Sequence, residues 1–197
     1  MNAPPRLLAL SAFALLASAG AALAHTGLGD AHDLAHGFLH PVSGIDHVLA
    51  MTGIGMLAAR IGGRALWLVP SSFVAAMAAS ATLAMAGFAA PGVEIGIALS
   101  VAALGLLIAV RARPALALAV PLAALFAVFH GAAHGAELPP DASGILFGAG
   151  FVCATALLHL GGIGLGIMLD KGGARLALAG GGTMAAYGGL LAAGSIL

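Results

Sequence analysis

The stretch Phe129-His130-Gly131-Ala132-Ala133-His134-Gly135-Ala136-Glu137 places two imidazoles and a carboxylate at i, i+4 and i+7, the spacing of a single helix face. A second group lies upstream. His32, His36 and His40 follow one another at i, i+4 and i+8 ahead of Pro41, and Asp46-His47 comes shortly after. If residues 31–40 are helical, the three imidazoles form one stripe, the geometry by which a helix presents metal ligands. Pro41 is expected to end that helix, because the residue before a proline disfavours the α region. Imidazole and carboxylate without thiolate suit borderline divalent ions such as nickel, cobalt or zinc; Cu(I) prefers sulfur, and magnesium and calcium prefer all-oxygen shells. The bland alternative for the 32–36–40 stripe is a solvated face with no ligand role. Asp46 has a weaker alternative, since a carboxylate in the opening of a membrane helix is a functional candidate by default.

The elements that must carry these side chains are set by an apolar composition. Of 197 residues, 61% are hydrophobic and 7% charged, against roughly 25% charged in a soluble domain. Seven basic and seven acidic side chains leave no net charge, so there is no electrostatic footprint for nucleic acid. The lone Cys153 allows neither a disulfide framework nor a CxxC motif, and the dispersed methionines read as gap-filling packing. Residues 1–24 run from Arg6 through an apolar stretch to Ala22-Leu23-Ala24, as a cleavable signal peptide does; an uncleaved first membrane helix is the competing reading. Residues 25–42 are then a periplasmic histidine-rich segment. Six hydrophobic stretches follow near 43–60, 65–88, 92–110, 114–134, 143–169 and 174–196, each close to the ~20 residues a membrane helix needs. Gly62-Gly63, Pro91-Gly92, Pro114, Pro139-Pro140 and Gly172-Gly173 separate them.

Arg60 and Arg64, Arg111 and Arg113, and Lys171 and Arg175 fall in alternate hairpins. Basic residues near helix ends favour the cytoplasmic side, so both mature termini are expected outside. The fold class expected is therefore all-α: a polytopic membrane helix bundle over 43–197, N-out and C-out, in a bacterial-type inner membrane. On that topology Asp46 and His47 open the first span, and His130 lies ~24 Å outward from Pro114 at 1.5 Å per residue. Glu94 opens the third span, and His134, Glu137 and Asp141 lie near the same face. His159 in the fifth span and Asp170 at its inner end are the exceptions. His159 reads either as a second station on an inward path or as a helix-to-helix hydrogen bond. The glycines Gly161-Gly162, Gly164, Gly166 and Gly180 to Gly182 read as close helix packing. A glycine-rich surface leaves a homo-oligomer open.

His40 to His47 form an HxxxxxDH motif and Phe129 to Glu137 an FHGxAHGxE motif. Together they make the chain resemble the HupE/UreJ family of nickel and cobalt permeases found with hydrogenase and urease systems, over essentially the whole mature chain. The resemblance implies that His40, Asp46, His47, His130, His134 and Glu137 are needed for uptake, with Ni²⁺ or Co²⁺ as substrate and no prosthetic group. His25, His32, His36, Glu94 and His159 lie outside both motifs. Cleavage after Ala24 would leave His25 N-terminal, and an α-amine of pKa ~7.7–8.0 beside its imidazole would make an outer capture site with His32 and His36.

The expected cycle is capture of a hydrated divalent ion, exchange of water for imidazole and carboxylate, passage between spans one and four, and release inside. The ligands must be deprotonated, so acid should weaken uptake. No GxxxxGK[ST] loop is present, so no nucleotide is expected to be hydrolysed. Two rivals remain at this point: an intramembrane metal-dependent hydrolase, though HExxH is absent, and a periplasmic metal-binding accessory protein that binds without flux. Spans one and four both carry a motif and run oppositely, as a three-plus-three inverted repeat would have them.

Overall fold

A computed structural model describes residues 34–137 and 142–196, without the side chains of Glu137, Ala142 and Ser143. The expected signal peptide, His25, His32, Asp141 and the Glu137 carboxylate lie outside the described residues. Those described form seven helices and no strand: α1 (Leu34–Ser43), α2 (Ile45–Ile61), α3 (Ala65–Met85), α4 (Val93–Ala109), α5 (Leu116–Glu137), α6 (Ala142–Gly172) and α7 (Ala174–Gly194). Each expected hydrophobic stretch carries one of α2 to α7. Four of these, α3, α5, α6 and α7, are long and apolar enough to cross a membrane. The pair α1 and α2 meets the same test together but is bent by 86°, and α4 is apolar and shorter. Gly62 and Gly173 break the chain between helices at φ 79° and 85°, backbone that a side chain would strain.

The expectation that Pro41 ends the first helix is corrected. The helix α1 continues through Pro41 to Ser43, and the break falls at Gly44, which is extended at φ −100° and ψ 121°. Packing overrides the local preference. Four residues before Pro41 stands Gly37, where a Cβ would lie 2.0 Å from the carbonyl oxygen of Phe147 on α6. The proline itself is buried, and Ser43 Oγ donates to the His40 carbonyl at 2.6 Å.

Helix α2 is the centre of the bundle: Ala50, Met51, Ile54, Leu57 and Ala58 are buried on it, with Phe73 of α3 and Leu104 of α4 in the same core. Exposed leucines such as Leu118, Leu125, Leu160 and Leu178 cover the outside, the arrangement lipid requires. Without a hydrophobic drive between helices in lipid, close backbone approach supplies the packing. A Cβ on Gly55 would lie 2.2 Å from the carbonyl oxygen of His159, and one on Gly162 2.2 Å from that of Thr52. A Cβ on Gly131 would lie 2.2 Å from the carbonyl oxygen of Met77, and Ser80 Oγ donates to the Val128 carbonyl at 2.7 Å. Further along, Gly166 meets Met56 where Gly162 meets Thr52, and Gly135 meets Ala81 where Gly131 meets Met77, so α2 runs parallel to α6, and α3 runs parallel to α5.

These contacts repeat. One constant shift in residue number carries Thr52 to Val128, Gly55 to Gly131, Gly105 to Gly181 and Ala109 to Ala185. A second shift carries Met77 to His159 and Ser80 to Gly162. The α2–α6 contacts thereby become the α5–α3 contacts, and the α4–α7 contact maps onto itself. A Cβ on Gly105 would lie 2.3 Å from Ala185 N, and one on Gly181 2.3 Å from Ala109 N. Since α4 and α7 cross antiparallel, the relation is a two-fold across the helix axes: α2–α3–α4 and α5–α6–α7 are inverted repeats.

Candidate metal site

The histidines of the two motifs meet where the N-terminal ends of α2 and α6 lie beside the C-terminal end of α5. The ring centroid of His47 is 4.8 Å from that of His130 and 4.4 Å from that of His134, and His40 is 4.8 Å from His134. His130 is fully buried, and His47 and His134 are nearly so, at 8% and 7% exposure. Phe147 and Phe151 of α6 pack against His40, and Phe151 also packs against His134.

The bonding around His47 and His130 determines which nitrogen of each carries a lone pair. Asp46 Oδ1 accepts from the His47 backbone N–H at 2.9 Å and lies 3.0 Å from His47 Nδ1. An ionised carboxylate only accepts, so Nδ1 carries the proton and the lone pair is on Nε2. Gly44 makes the fold-back fit, because a Cβ there would lie 2.8 Å from Asp46 Oδ1. Ser100 of α4 donates its hydroxyl proton to the Ile97 carbonyl at 2.7 Å, and its oxygen lies 2.9 Å from His130 Nε2. His130 therefore donates from Nε2, and its lone pair is on Nδ1. His134 shares Nδ1 with His40 Nε2 at 3.0 Å.

Within the cluster, three ring nitrogens are left buried without a hydrogen-bond partner: His47 Nε2, His130 Nδ1 and His134 Nε2. An orphaned buried nitrogen is costly in any protein, and three on touching rings form a donor set suited to a borderline divalent ion. Carboxylate and hydroxyl partners on the far nitrogens fix the rings as outer partners of metal ligands do. Among the described residues no three such side chains already surround a single point; the rings pack against one another.

The structure thus brings His40, Asp46, His47, His130 and His134 together. His36 is exposed on α1, and Glu94 is exposed in the first turn of α4; the buried group that α4 brings to the cluster is Ser100. His159 is buried in α6, with Phe73 in contact with both it and His130, at centroid distances of 5.3 and 5.7 Å. Sequence reasoning missed Ser100 and Phe73, since a single serine or phenylalanine in an apolar helix carries no spacing signal. At the opposite ends of α2 and α6, Arg60 Nη1 pairs with Asp170 Oδ1. Arg60 also donates from Nε and Nη2 to the Arg111 carbonyl at 3.2 and 3.1 Å. Arg111 Nη2 lies 3.8 Å from Asp170 Oδ1. Arg60, Arg111 and Asp170, each in or beside a different basic hairpin, are therefore tied together at that end.

Apolar helices packed through glycines around a buried, fixed set of imidazoles define a multi-pass helical membrane protein with a ligand-type polar interior. The chain belongs to the HupE/UreJ family: the family model described as HupE / UreJ protein matches residues 13–191. A curated relative, Protein HupE of Rhizobium leguminosarum bv. viciae, is 43% identical over 182 residues, covering 92% of this chain and 95% of the relative. No solved structure matches.

Proposed function

We propose that the protein is a permease for a divalent transition metal, nickel or cobalt, carried from the periplasm to the cytoplasm for the assembly of a metalloenzyme such as hydrogenase or urease. The observation that carries this reading is the set of three unpartnered nitrogens on His47, His130 and His134. In this reading α2 to α7 are six spans of an inner-membrane protein, with the α1–α2 bend at the periplasmic mouth and the Arg60–Asp170 pair at the cytoplasmic end. The basic hairpins support that orientation, and the antiparallel α4–α7 contact with the two parallel pairs suits alternating spans.

The chain's residues divide the work. Asp46 lowers the cost of bringing a cation into the opening of α2 and holds His47 by Nδ1. Ser100 holds His130, and His40 holds His134. Each ring then offers a lone pair to an ion that has shed part of its water. Glu137, by the family motif, and His25, His32, His36 and Glu94 would act earlier, as capture groups at the mouth. The inside-negative potential supplies a driving force of ~4.6 kcal/mol for a divalent ion per 100 mV, at ~2.3 kcal/mol per charge.

The test is uptake of radiolabelled nickel into proteoliposomes held at an inside-negative potential. Wild type is expected to accumulate the label and His130→Ala to lose uptake. Binding without entry would instead favour the accessory-protein reading, and metal-dependent lipid hydrolysis requiring His130 would favour the hydrolase.

A further inference from the structure

A second pair of buried polar groups lies deeper in the bundle than the histidine cluster. Thr155 and His159 stand one turn apart on α6, at 0% and 2% exposure, and neither Thr155 Oγ1 nor His159 Nε2 has a hydrogen-bond partner. The threonine departs from its fellows. Thr52, Thr82 and Thr183 each return their hydroxyl to the carbonyl four residues back, at 2.6, 2.9 and 2.9 Å, the usual satisfaction of a threonine within a helix. Thr155 leaves its hydroxyl unbonded in the interior, on the same helix face as an imidazole nitrogen that is also unbonded.

The position of this pair points to a path. The ring of Phe73 is in contact with both His130 of the cluster and His159 of the pair. Along α6, His159 is ~18 Å from Phe147, which packs on His40, and ~17 Å from Asp170, at 1.5 Å per residue. It is therefore about midway between the histidine cluster and the ion-paired end. The inverted repeat gives the same depth by a separate route. The shift that carries Met77 to His159 carries Phe73 to Thr155, so these four residues form one layer related to itself by the two-fold. In transporters built from inverted repeats, the substrate site lies at the midplane where the repeats meet. Here one side of the layer is apolar and the other bears the two unsatisfied polar atoms.

We propose that Thr155 and His159 form a second transit site for the divalent metal ion, entered from the His47, His130 and His134 cluster past Phe73. His159 Nε2 is the protein nitrogen ligand, Thr155 Oγ1 holds the ion directly or through one of its waters, and retained water completes the shell. This inference rests on the permease reading.

The test combines equilibrium binding of Co²⁺ to the full protein in lipid nanodiscs with nickel flux into proteoliposomes, using wild type, His159→Ala, His159→Gln and Thr155→Val. Wild type is expected to bind two ions. His159→Ala is expected to keep the tighter ion, lose the other, and carry nickel at least about tenfold more slowly, the scale of losing a group that governs a metal site. Thr155→Val is expected to weaken the second ion alone. If His159→Ala does not fold, His159→Gln and Thr155→Val decide the matter by the same two readouts. Unchanged ion count and flux in the folded variants would overturn the transit site while leaving the permease reading intact. A lower melting temperature with an unchanged ion count would overturn it equally, by showing a structural role. If wild type neither binds nor carries metal, the permease reading fails and the transit site with it.

Discussion

The chemistry of the cluster depends on which nitrogen of each ring is left open, and side chains outside the helix-face motifs determine that. Asp46 holds the His47 Nδ1 proton, and Ser100, whose own proton goes to Ile97, receives that of His130 Nε2. Replacing an outer partner of a metal ligand costs about 10–100-fold in affinity or activity, so Asp46→Asn is expected to reduce nickel uptake by that factor. Ser100→Ala is expected to cost about tenfold, since His130 loses the bond that selects its tautomer but keeps its position; initial uptake rates measure both. If Ser100→Ala carried nickel as wild type does, the tautomer argument would be wrong. Spacing alone put His130 and His134 on one face of α5, and the structure sets both rings against His47. Ser100 and Thr155 were not legible in this way, because a lone hydroxyl in an apolar helix ordinarily bonds to its own backbone, and only the packed structure shows where it departs from that habit.

At the scale of elements, the hydrophobic stretches located α2 to α7 within a few residues, since burial in lipid leaves few choices. What the sequence could not show was which glycines bring helices together. Gly162, Gly166 and Gly181 meet backbone or side chain of a neighbouring helix, whereas Gly161, Gly164, Gly180 and Gly182 face open space. The distinction depends on the rotation of each helix, which a run of small residues does not encode. Gly162→Leu is expected to force α2 and α6 apart and destabilise the protein by about 1–3 kcal/mol or more, the cost of overpacking, read as a lower melting temperature in detergent. Gly161→Leu one residue away is the control and is expected to be near neutral. The stop at Pro41 was misplaced for the same kind of reason: the contact of Gly37 with α6 is tertiary, and it carries the helix past the proline to Gly44.

Across the whole molecule, the inverted repeat was suggested by two motifs in opposed spans but is carried by contacts. Small residues keep their type at some matching places, Gly55 with Gly131, Gly105 with Gly181 and Ala109 with Ala185, whereas Met77 matches His159 and Ser80 matches Gly162, so the repeat is plain in the packing and faint in the sequence. In the permease reading, each half would take in turn the arrangement now held by the other, so that a single site faces two sides. In that reading the Arg60–Asp170 pair closes one end and would have to part for release. With Cys153 replaced by serine, Arg60→Cys and Asp170→Cys joined by a bifunctional thiol reagent are expected to arrest nickel entry, with entry restored by a cleavable reagent and reductant. Undiminished entry through the cross-linked protein would show that this end does not open.

The measurement that bears most directly on the account is X-ray absorption at the nickel edge on the protein loaded in lipid nanodiscs. The expected result is a shell of nitrogen and oxygen donors with a clear imidazole contribution that falls in His130→Ala and in His47→Ala. Absence of bound nickel, or a shell that neither substitution alters, would contradict it.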